Sequence, residues 1–455
     1  MKIVVLGAGY VGLTTSSCLA DLGHDVTCCD IDGDRIAALE RAEVPIFEPG
    51  LSDLIGKQIA LGRLHFTTHA TKAAGTADAV FLAVGTPSDP DGDIDLSYVE
   101  TAAKTIAPYM QSRAVLVIKS TVVAGTARRV KALVDASRGR KDIAVASNPE
   151  FLREGSAIKD FMHADRIVIG ADDAASEAVL REVYEPLLLR GIPLVATQTV
   201  NAELIKYAAN ALLALRIGFI NDVADLCEKL GGDVGAVADG IGRDHRIGAA
   251  FLSAGPGFGG SCFPKDTRAF ASTGRRHGAP QPLIETLIER NELRKEALAD
   301  RIIDAAPRHG RVAILGTSFK ANTDDVREAA ALTIVPKLIE AGLDVHLHDP
   351  QPHGAKRLLP DAQWHASALE ATEDADVTVV LTEWDEYRTL DLAELRRAMR
   401  GQALLDFRNI IDRERAAAVG LIYQGLGRSA LVVQPARRGH AITAKAPVAA
   451  SPARV

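Results

Sequence analysis

The residues best suited to chemistry lie in one glycine-rich segment, GPGFGGSCFPKD, at residues 255–266. Its glycines predict a loop with few side chains, whose backbone amides can surround a ligand. The same segment places Cys262 close to Lys265 and Asp266. A thiol beside a cation is a candidate nucleophile, whereas an isolated cysteine is more often a small buried hydrophobic residue. We therefore predict that Cys262 is a nucleophile. The remaining cysteines are predicted to be packed in cores: Cys18, Cys28, Cys29 and Cys227.

A second motif, GAGYVG at residues 7–12, directly follows the apolar run KIVVL. In such a loop Gly7 permits a tight turn, Gly9 lets the backbone approach a pyrophosphate, and Gly12 lets the next helix pack on the strand. Asp30 follows 23 residues after Gly7. A carboxylate at that distance binds the adenosine ribose and repels a 2′-phosphate. The motif therefore predicts NAD in preference to NADP, with FAD as a minor competitor.

The two motifs together suggest a type of reaction. A thiol adds to an aldehyde to give a thiohemiacetal, whose hydride can pass to NAD and leave a thioester that water hydrolyses. The product of such an oxidation is an acid.

Several segments, taken in order, resemble the nucleotide-sugar dehydrogenase family: GAGYVG, KSTVVAGT, NPEFLREG, LIKYAAN, GRDHRIG, GPGFGGSCFPKD and FKANTDDVREA. The resemblance extends from Met1 to about Gly427. It implies oxidation of the C6 alcohol of a nucleotide sugar to a carboxylate in two steps, with reduction of two NAD+. Ser261 and Phe263, on either side of the cysteine, favour UDP-glucose as substrate and UDP-glucuronate as product. The alternatives are another nucleotide sugar (GDP-mannose or UDP-N-acetylmannosamine) and, from a different class, a non-catalytic NAD or UDP-sugar sensor.

The resemblance also implies a catalytic set: Cys262, Lys206, Asp266, Asn210, Glu150 and Thr121. Cys262 would form the thiohemiacetal and then the thioester. Lys206 and Asn210 lie one helical turn apart and would hold the substrate oxyanion. Asp266 would act as the general base or through a bound water, and Glu150 would position the water that hydrolyses the thioester. Without the resemblance, the lysine and the glutamate would be interpreted as solvated surface charges.

Binding residues are implied in the same way. The implied NAD-binding residues are Gly7, Gly9, Tyr10, Val11, Gly12, Asp30, Arg35, Thr86, Thr121, Glu154, Lys265 and Arg327. The implied substrate-binding residues are Glu150, Phe151, Leu152, Arg153, Glu154, Lys206, Asn210, Arg246, Phe258, Gly259, Lys320 and Arg408. Of these, Arg246 would reach the sugar bound to a neighbouring subunit.

The elements that must position these residues are short β-rich runs alternating with helical stretches. The early runs are Lys2–Leu6, Asp25–Cys29, Ala79–Val84, Ala114–Ile118, Ile143–Ser147 and Arg166–Ile169. The late runs are Arg311–Leu315, Asp344–His348, Val377–Leu381 and Ala403–Asp406. Such alternation is typical of a parallel sheet covered by helices on both faces. The sequence therefore predicts an α/β protein with two Rossmann-like, doubly wound parallel-sheet domains.

A long helix is predicted between the two sheets, at residues 200–231, where the chain is rich in Ala and Leu and lacks proline. At 1.5 Å per residue it would reach ~45 Å. Spare apolar surface on it predicts a subunit interface, so we expect a homodimer or a higher homo-oligomer. The predicted domains are an NAD-binding Rossmann-like domain (1–197), a central helical domain (198–300), a UDP-sugar-binding Rossmann-like domain (301–427) and a disordered basic Ala/Pro-rich tail (428–455).

Composition excludes several other classes of protein. The net charge of −7 over 455 residues provides no basic field for nucleic acid or an anionic membrane. No apolar stretch approaches the ~20 residues of a membrane helix. The odd number of cysteines, five, predicts a reducing, cytoplasmic compartment. No metal is expected, because His346 and His348 lack an evident third ligand.

Overall fold

The computed structural model describes residues 1–89 and 92–428. The tail predicted at 428–455 therefore lies outside the described residues, except for Arg428. Within the described ranges, no helix is both long and apolar enough to cross a membrane.

The first sheet contains β1 (Lys2–Leu6), β2 (Asp25–Cys29), β3 (Leu64–Thr67), β4 (Ala79–Leu82), β5 (Val115–Ile118), β6 (Ala144–Ser147), β7 (Ile167–Gly170) and β8 (Leu194–Thr197). Their spatial order is β3-β2-β1-β4-β5-β6-β7-β8. The first six strands have the order of a dinucleotide-binding sheet, which reverses direction beside β1 and opens a crevice at the carboxyl ends of the strands.

Helices cover both faces of this sheet: α1 (Tyr10–Asp21), α2 (Gly33–Glu40), α3 (Leu51–Ala60), α4 (Ala70–Ala74), α5 (Ser97–Ile106), α6 (Thr126–Arg138), α7 (Ala157–Met162) and α8 (Ala174–Leu188), with a 3-10 turn at Ala107–Tyr109. Alternate residues of β1 enter different cores. Ile3 and Val5 pack with the core that includes Leu13 of α1, while Val4 and Leu6 pack with the core on the opposite face. A strand buried on both faces requires an almost continuous apolar sequence, which KIVVL supplies.

Two strands of the first sheet, β7 and β8, depart from the predicted parallel arrangement. β7 pairs antiparallel with β6, through Ser147 and Gly170, and β8 is parallel to β7. Because β7 is antiparallel to β6, the connection between them begins and ends at the same edge of the sheet, the one where β6 ends. As a consequence, the segment NPEFLREG stays beside the carboxyl ends of the strands, where the crevice lies.

The central segment contains α9 (Thr199–Leu230), α10 (Val234–Gly242), α11 (Phe263–Arg276) and α12 (Pro282–Ala305). With 32 residues, α9 is on the order of 48 Å long. It ends at Gly231, whose φ of 77° is left-handed. Glu203 of α9 accepts hydrogen bonds from the amides of Gly125 (2.6 Å) and Ala127 (2.8 Å) at the start of α6. These bonds tie the long helix to the first sheet.

The second sheet contains β9 (Arg311–Leu315), β10 (Asp344–His348), β11 (Gln363–Trp364), β12 (Val377–Val380), β13 (Ala403–Asp406) and β14 (Ile422–Gly425). Its order is β11-β10-β9-β12-β13-β14 and its pairs are parallel. The helices around it are α13 (Ala331–Glu340), α14 (His353–Leu358), α15 (Ala368–Thr372), α16 (Asp385–Arg388), α17 (Leu392–Ala398) and α18 (Arg413–Ala418). The strand order repeats that of the first sheet, so the prediction of two Rossmann-like units is confirmed.

Candidate active site

The glycine loop between β1 and α1 has the geometry that a dinucleotide requires. A Cβ on Gly12 would lie 1.8 Å from the carbonyl oxygen of Gly7, so only glycine allows the helix to approach this turn. Gly7 itself has a φ of +103°. Around Gly9, no heavy atom of the described residues lies within 4 Å of an added Cβ. The loop therefore leaves open space at the N-terminus of α1, where backbone amides attract phosphate.

Asp30 follows β2 beside this loop. Its Oδ2 accepts a hydrogen bond from the amide of Ala8 at 2.7 Å, and Nη1 of Arg35 lies 3.3 Å from the same oxygen. Tyr10 and Val11 form the first turn of α1 and are half-buried. The Tyr10 hydroxyl donates to the carboxylate of Glu48. The loop, the acid and Arg35 thus lie together beside the N-terminus of α1.

Three further predicted residues follow neighbouring strands of the first sheet. Thr86 follows β4, Thr121 follows β5 and Glu150 follows β6. Both threonines are half-buried, whereas Glu150 is buried. Parallel strands end at the same edge of the sheet, so these residues share the crevice with the glycine loop.

A buried ion pair joins this crevice to α9. Nζ of Lys206 lies 2.9 Å from Oε1 of Glu150, and the two side chains are 3% and 5% exposed. Burial opposes the charge of Lys206, yet the attraction of Glu150, Cys262 and Asp266 raises the pKa of the ammonium group above its ordinary value. Burial also opposes the charge of Glu150, but Lys206 lowers the pKa of the carboxyl group. The pair is therefore ionised at neutral pH.

A second polar pair lies next along the same face of α9. Asn210 Nδ2 donates to Oδ2 of Asp266 at 2.6 Å, and both side chains are buried. The other oxygen of Asp266 accepts from Nζ of Lys265 at 2.7 Å. Lys206 and Asn210 thus share one helix face, as their spacing predicted, but they point into the protein instead of into solvent. Lys265 binds Asp266 directly, whereas the charge of Lys206 acts on the thiol of Cys262.

Cys262 immediately precedes α11 and is partly exposed, while the other cysteines are buried. Burial of the sulfur raises the pKa of the Cys262 thiol to about 11, and the charge of Lys206 opposes this rise. Oγ of Ser261 lies 3.6 Å from the Cys262 sulfur. The helix N-terminus also favours a thiolate at this position.

Glu154 connects the two sheets. Its Oε1 accepts from Ser261 Oγ at 3.1 Å, and its Oε2 accepts from Thr323 Oγ1 at 3.0 Å. Nζ of Lys320 donates to the Glu154 carbonyl oxygen at 2.5 Å, and Nη2 of Arg327 lies 3.4 Å from Oε1. Burial and the nearby charge of Asp325 raise the pKa of the Glu154 carboxyl group to about 7. This carboxylate therefore titrates in the physiological range.

Three of the predicted substrate-binding residues lie in the glycine-rich loop or after a strand of the second sheet. Arg408 follows β13 and donates from Nη2 to the carbonyl oxygen of Phe319 at 2.7 Å. Phe258 is buried, and its amide donates to Oδ1 of Asn291 at 2.8 Å. A Cβ on Gly259 would lie 2.5 Å from the carbonyl oxygen of Glu328. The glycine-rich loop is thus held against the segment that precedes α13, at a distance that a larger residue at position 259 would not allow.

Some predicted residues have other partners in the structure. Arg246 is exposed and pairs with Asp244 at 2.5 Å. Arg153 is exposed and pairs with Asp160 at 2.6 Å. The amide of Leu152 donates to Oε2 of Glu150 at 2.6 Å. The guanidinium of Arg166 lies over the ring of Phe151, and its Cζ is 3.6 Å from the ring centroid.

Sequence reasoning missed two buried polar residues of the site. Nζ of Lys119 lies 3.1 Å from Oδ1 of Asn148, and burial lowers the pKa of this lysine to about 8. Thr323 holds Glu154 from the second half. Both lie inside segments that carried the family resemblance, KSTVVAGT and FKANTDDVREA. Their position within those segments was the available signal.

The fold and the site define a class: an oxidoreductase with a Rossmann-type dinucleotide site beside a cysteine and buried ionic groups. The chain matches the UDP-glucose/GDP-mannose dehydrogenase family over three parts: its NAD binding domain (residues 1–188), its central domain (200–293) and its UDP binding domain (313–413). The chain belongs to this family.

Individual relatives extend the similarity over most of the chain. It is 48% identical over 435 residues to a UDP-glucose 6-dehydrogenase of Rhizobium meliloti (strain 1021), a match covering 94% of this chain and 100% of the relative. It is 43% identical to the UDP-glucose 6-dehydrogenase TuaD of Bacillus subtilis (strain 168), with 94% of each chain covered. A solved UDP-glucose dehydrogenase from Pyrobaculum islandicum superposes with a TM-score of 0.86 at 37% identity, covering 94% of this chain and 98% of that one.

Proposed function

We propose that this chain oxidises UDP-glucose at C6 to UDP-glucuronate, with NAD as the oxidant and Cys262 as the covalent nucleophile. The observation that carries the proposal is the position of Cys262, a partly exposed residue whose thiol lies among the charges of Lys206, Glu150 and Asp266. The substrate is supported by the names of the similar proteins, which are UDP-glucose 6-dehydrogenases at 48% and 43% identity.

The first oxidation requires removal of the alcohol proton. Asp266 is the proposed acceptor, either directly or through a water, because its carboxylate is buried beside Asn210. The ammonium of Lys206 and the amide of Asn210 lie on one face of α9 and would stabilise the negative charge that develops on the sugar oxygen. Bound NAD would accept the hydride in each of the two oxidations. Residues of the glycine loop, Asp30 and Arg35 would hold it, with Thr86 and Thr121 beside its ribose and nicotinamide.

The second oxidation proceeds through sulfur. The Cys262 thiolate would add to the aldehyde carbon, giving a thiohemiacetal and then a thioester. A water held by Glu150 would attack the thioester and release the acid. Glu150 is suited to this role because Lys206 keeps its carboxylate ionised.

Substrate binding is assigned to the edge of the second sheet. Lys320 and Arg408 supply cations for the diphosphate or sugar hydroxyls, which a chain of net charge −7 must provide locally. Phe258 and Gly259 would line the sugar site. Arg246 is exposed at the surface and would act on the sugar of a neighbouring subunit.

The surface of α9 supports the proposal of an oligomer. Large apolar side chains at a seven-residue spacing remain open to solvent in the single chain: Leu212, Phe219 and Leu226 are 61%, 58% and 57% exposed. Such a stripe is suited to pairing with a second copy. We propose a homodimer or higher homo-oligomer, with domain boundaries near residues 197, 300 and 427. A cytoplasmic location is supported by five cysteines that are all free.

The decisive experiment incubates the pure protein with NAD+ and UDP-glucose and counts NADH against sugar consumed. Two NADH per sugar with formation of UDP-glucuronate is expected. Turnover only with GDP-mannose or UDP-N-acetylmannosamine would assign a different specificity, and no turnover with any nucleotide sugar would leave a sensor.

Cys262→Ser tests the covalent step. An alkoxide is much less accessible than a thiolate near neutral pH, so net oxidation should nearly stop while NAD+ still binds. Cys227→Ser is the matched control, since Cys227 lies in a separate core with Ile220 and Leu252. Wild-type turnover by Cys262→Ser would contradict a covalent mechanism.

A further inference from the structure

We propose that the hydroxyl of Ser261 relays the proton of the Cys262 thiol to the carboxylate of Glu154, so that Glu154 is the base that generates the thiolate. This inference deepens the proposed function and rests on it. It adds a proton path for the nucleophile, distinct from the path assigned to the alcohol proton.

The contacts form an unbroken chain of three groups. The sulfur of Cys262 lies 3.6 Å from Oγ of Ser261, and that oxygen lies 3.1 Å from Oε1 of Glu154. An ionised carboxylate can only accept, so the single hydroxyl proton of Ser261 points to Glu154. The serine oxygen then accepts from the thiol. While Glu154 is ionised, the hydrogen bonds therefore run from thiol to serine to glutamate.

The same contacts also satisfy the product of proton transfer. Once Glu154 is protonated, its O–H donates to the serine oxygen, and the serine hydroxyl donates to the thiolate. A hydroxyl can make this exchange by moving two protons along existing hydrogen bonds, with no change of heavy-atom positions. Ser261 thus has a hydrogen-bond partner on each side both before and after the transfer.

The second half of the molecule holds Glu154 in this geometry. Thr323 donates to the other carboxylate oxygen at 3.0 Å, and Lys320 holds the backbone carbonyl at 2.5 Å. Burial and Asp325 raise the pKa of Glu154 to about 7, whereas burial raises that of Cys262 to about 11. A thiol so difficult to ionise needs a local acceptor, and Glu154 is available as a base above about pH 7. The charged and titratable groups that act on Cys262 or Glu154 are Lys206, Glu150, Asp266, Arg327, Asp325, Lys320 and Tyr10.

The step balances without any further reactant. As the sulfur electron pair forms the C–S bond, the S–H bond breaks, its proton moves to Ser261, and the serine proton moves to Glu154. The carbonyl electron pair moves to the sugar oxygen. When water has attacked the thioester, the C–S bond breaks with its electrons on sulfur, and the proton returns from Glu154 through Ser261.

The test is the rate of Cys262 alkylation by iodoacetamide in the free enzyme between pH 6 and 10, located by peptide mass spectrometry. This assay needs no nucleotide sugar. The proton relay can therefore be refuted while the proposed oxidation of UDP-glucose holds, and the proposed oxidation can be refuted while the relay holds. Wild-type alkylation should rise near pH 7 as Glu154 ionises and rise again when the thiol itself ionises. In Ser261→Ala the first rise should disappear, and the rate near pH 8 should fall roughly tenfold or more, because a hydrogen bond to an ionised group is lost.

Glu154→Gln should give the same profile, because an amide keeps the hydrogen bond but cannot take the proton. Ser261→Thr should restore the first rise, since it retains the hydroxyl. Ser253→Ala, an exposed serine on the same loop, is the matched control and should behave as wild type. The proposal is overturned if Ser261→Ala keeps the wild-type pH profile, or if Ser261→Thr loses it as completely as Ser261→Ala does while both variants remain folded by circular dichroism.

Discussion

Replacing Glu150 by glutamine should destabilise the fold by about 3–4 kcal/mol near neutral pH. The change leaves the ammonium of Lys206, 3% exposed, without the carboxylate now 2.9 Å away. Removal of one partner of a buried ion pair costs about 3–5 kcal/mol. Lys206 can limit this loss by releasing its proton. For a lysine of ordinary pKa this release requires about 4 kcal/mol at pH 7.5, at about 1.36 kcal/mol per pH unit.

The pH dependence of this loss has a definite sign. Lys206 has a raised pKa and Glu150 a lowered one in the folded protein. The lysine therefore stabilises the fold below its unfolded pKa, and the glutamate stabilises it above its own, so the wild-type contribution is constant across pH 6–9. In Glu150→Gln the loss should shrink by about 1.4 kcal/mol per pH unit as pH rises, because less free energy is needed to neutralise Lys206.

Thermal unfolding followed by circular dichroism at pH 7.5 and pH 9 measures both effects. Glu150→Gln should lower Tm by roughly 4 °C at pH 7.5 and by less at pH 9. The double variant Glu150→Gln/Lys206→Met should recover most of the loss, because both charges are gone. A Tm of Glu150→Gln equal to that of the wild type at pH 7.5 would refute the conclusion that the pair is buried and ionised.

Three further outcomes are expected. Asp30→Asn should weaken NAD+ relative to NADP+ in equilibrium binding; an unchanged preference would mean that another residue reads the ribose. Gly12→Ala should abolish NAD+ binding measured by calorimetry, because its Cβ would lie 1.8 Å from the Gly7 oxygen; undiminished binding would show that the turn can rearrange. Phe219→Glu, at a side chain 58% exposed on α9, should shift the protein to monomers in sedimentation velocity, whereas an unchanged mass would place the subunit contact elsewhere.

Most of the fold was predictable because its central strands are buried on both faces. KIVVL at β1 and RVAIL at β9 are nearly continuous apolar runs, and both strands have the predicted bounds. The edge strands were missed. β11 has only two residues, and β3 has the sequence LHFT. Both are too short and too polar to show the continuous apolar run of a buried strand. The antiparallel direction of β7 depends on how the chain returns after β6, which no local pattern encodes.

The glycine loop was predictable from residue type and spacing alone. Spacing placed Lys206 and Asn210 on one helix face, but only the family resemblance suggested that this face belongs to the site. Burial was not predictable, because a lysine is ordinarily exposed. Lys119 is 4% exposed, a consequence of tertiary packing. The hydrogen bond between Ser261 and Glu154 joins positions 107 residues apart. Sequence alone does not show that residues so far apart along the chain are in contact.

The contacts of Glu154 have a consequence for how the polypeptide could be divided. Its partners Lys320, Thr323 and Arg327 come from the last third of the chain, while the glutamate follows β6 of the first sheet. A fragment ending before Lys320 would keep the glycine loop and even the cysteine, yet its Glu154 would lose these partners. Such a fragment should still bind the dinucleotide. It should be catalytically inactive until the C-terminal fragment is added as a separate chain. Association of the two fragments would then restore the contacts of Glu154 and make the Cys262 thiol reactive.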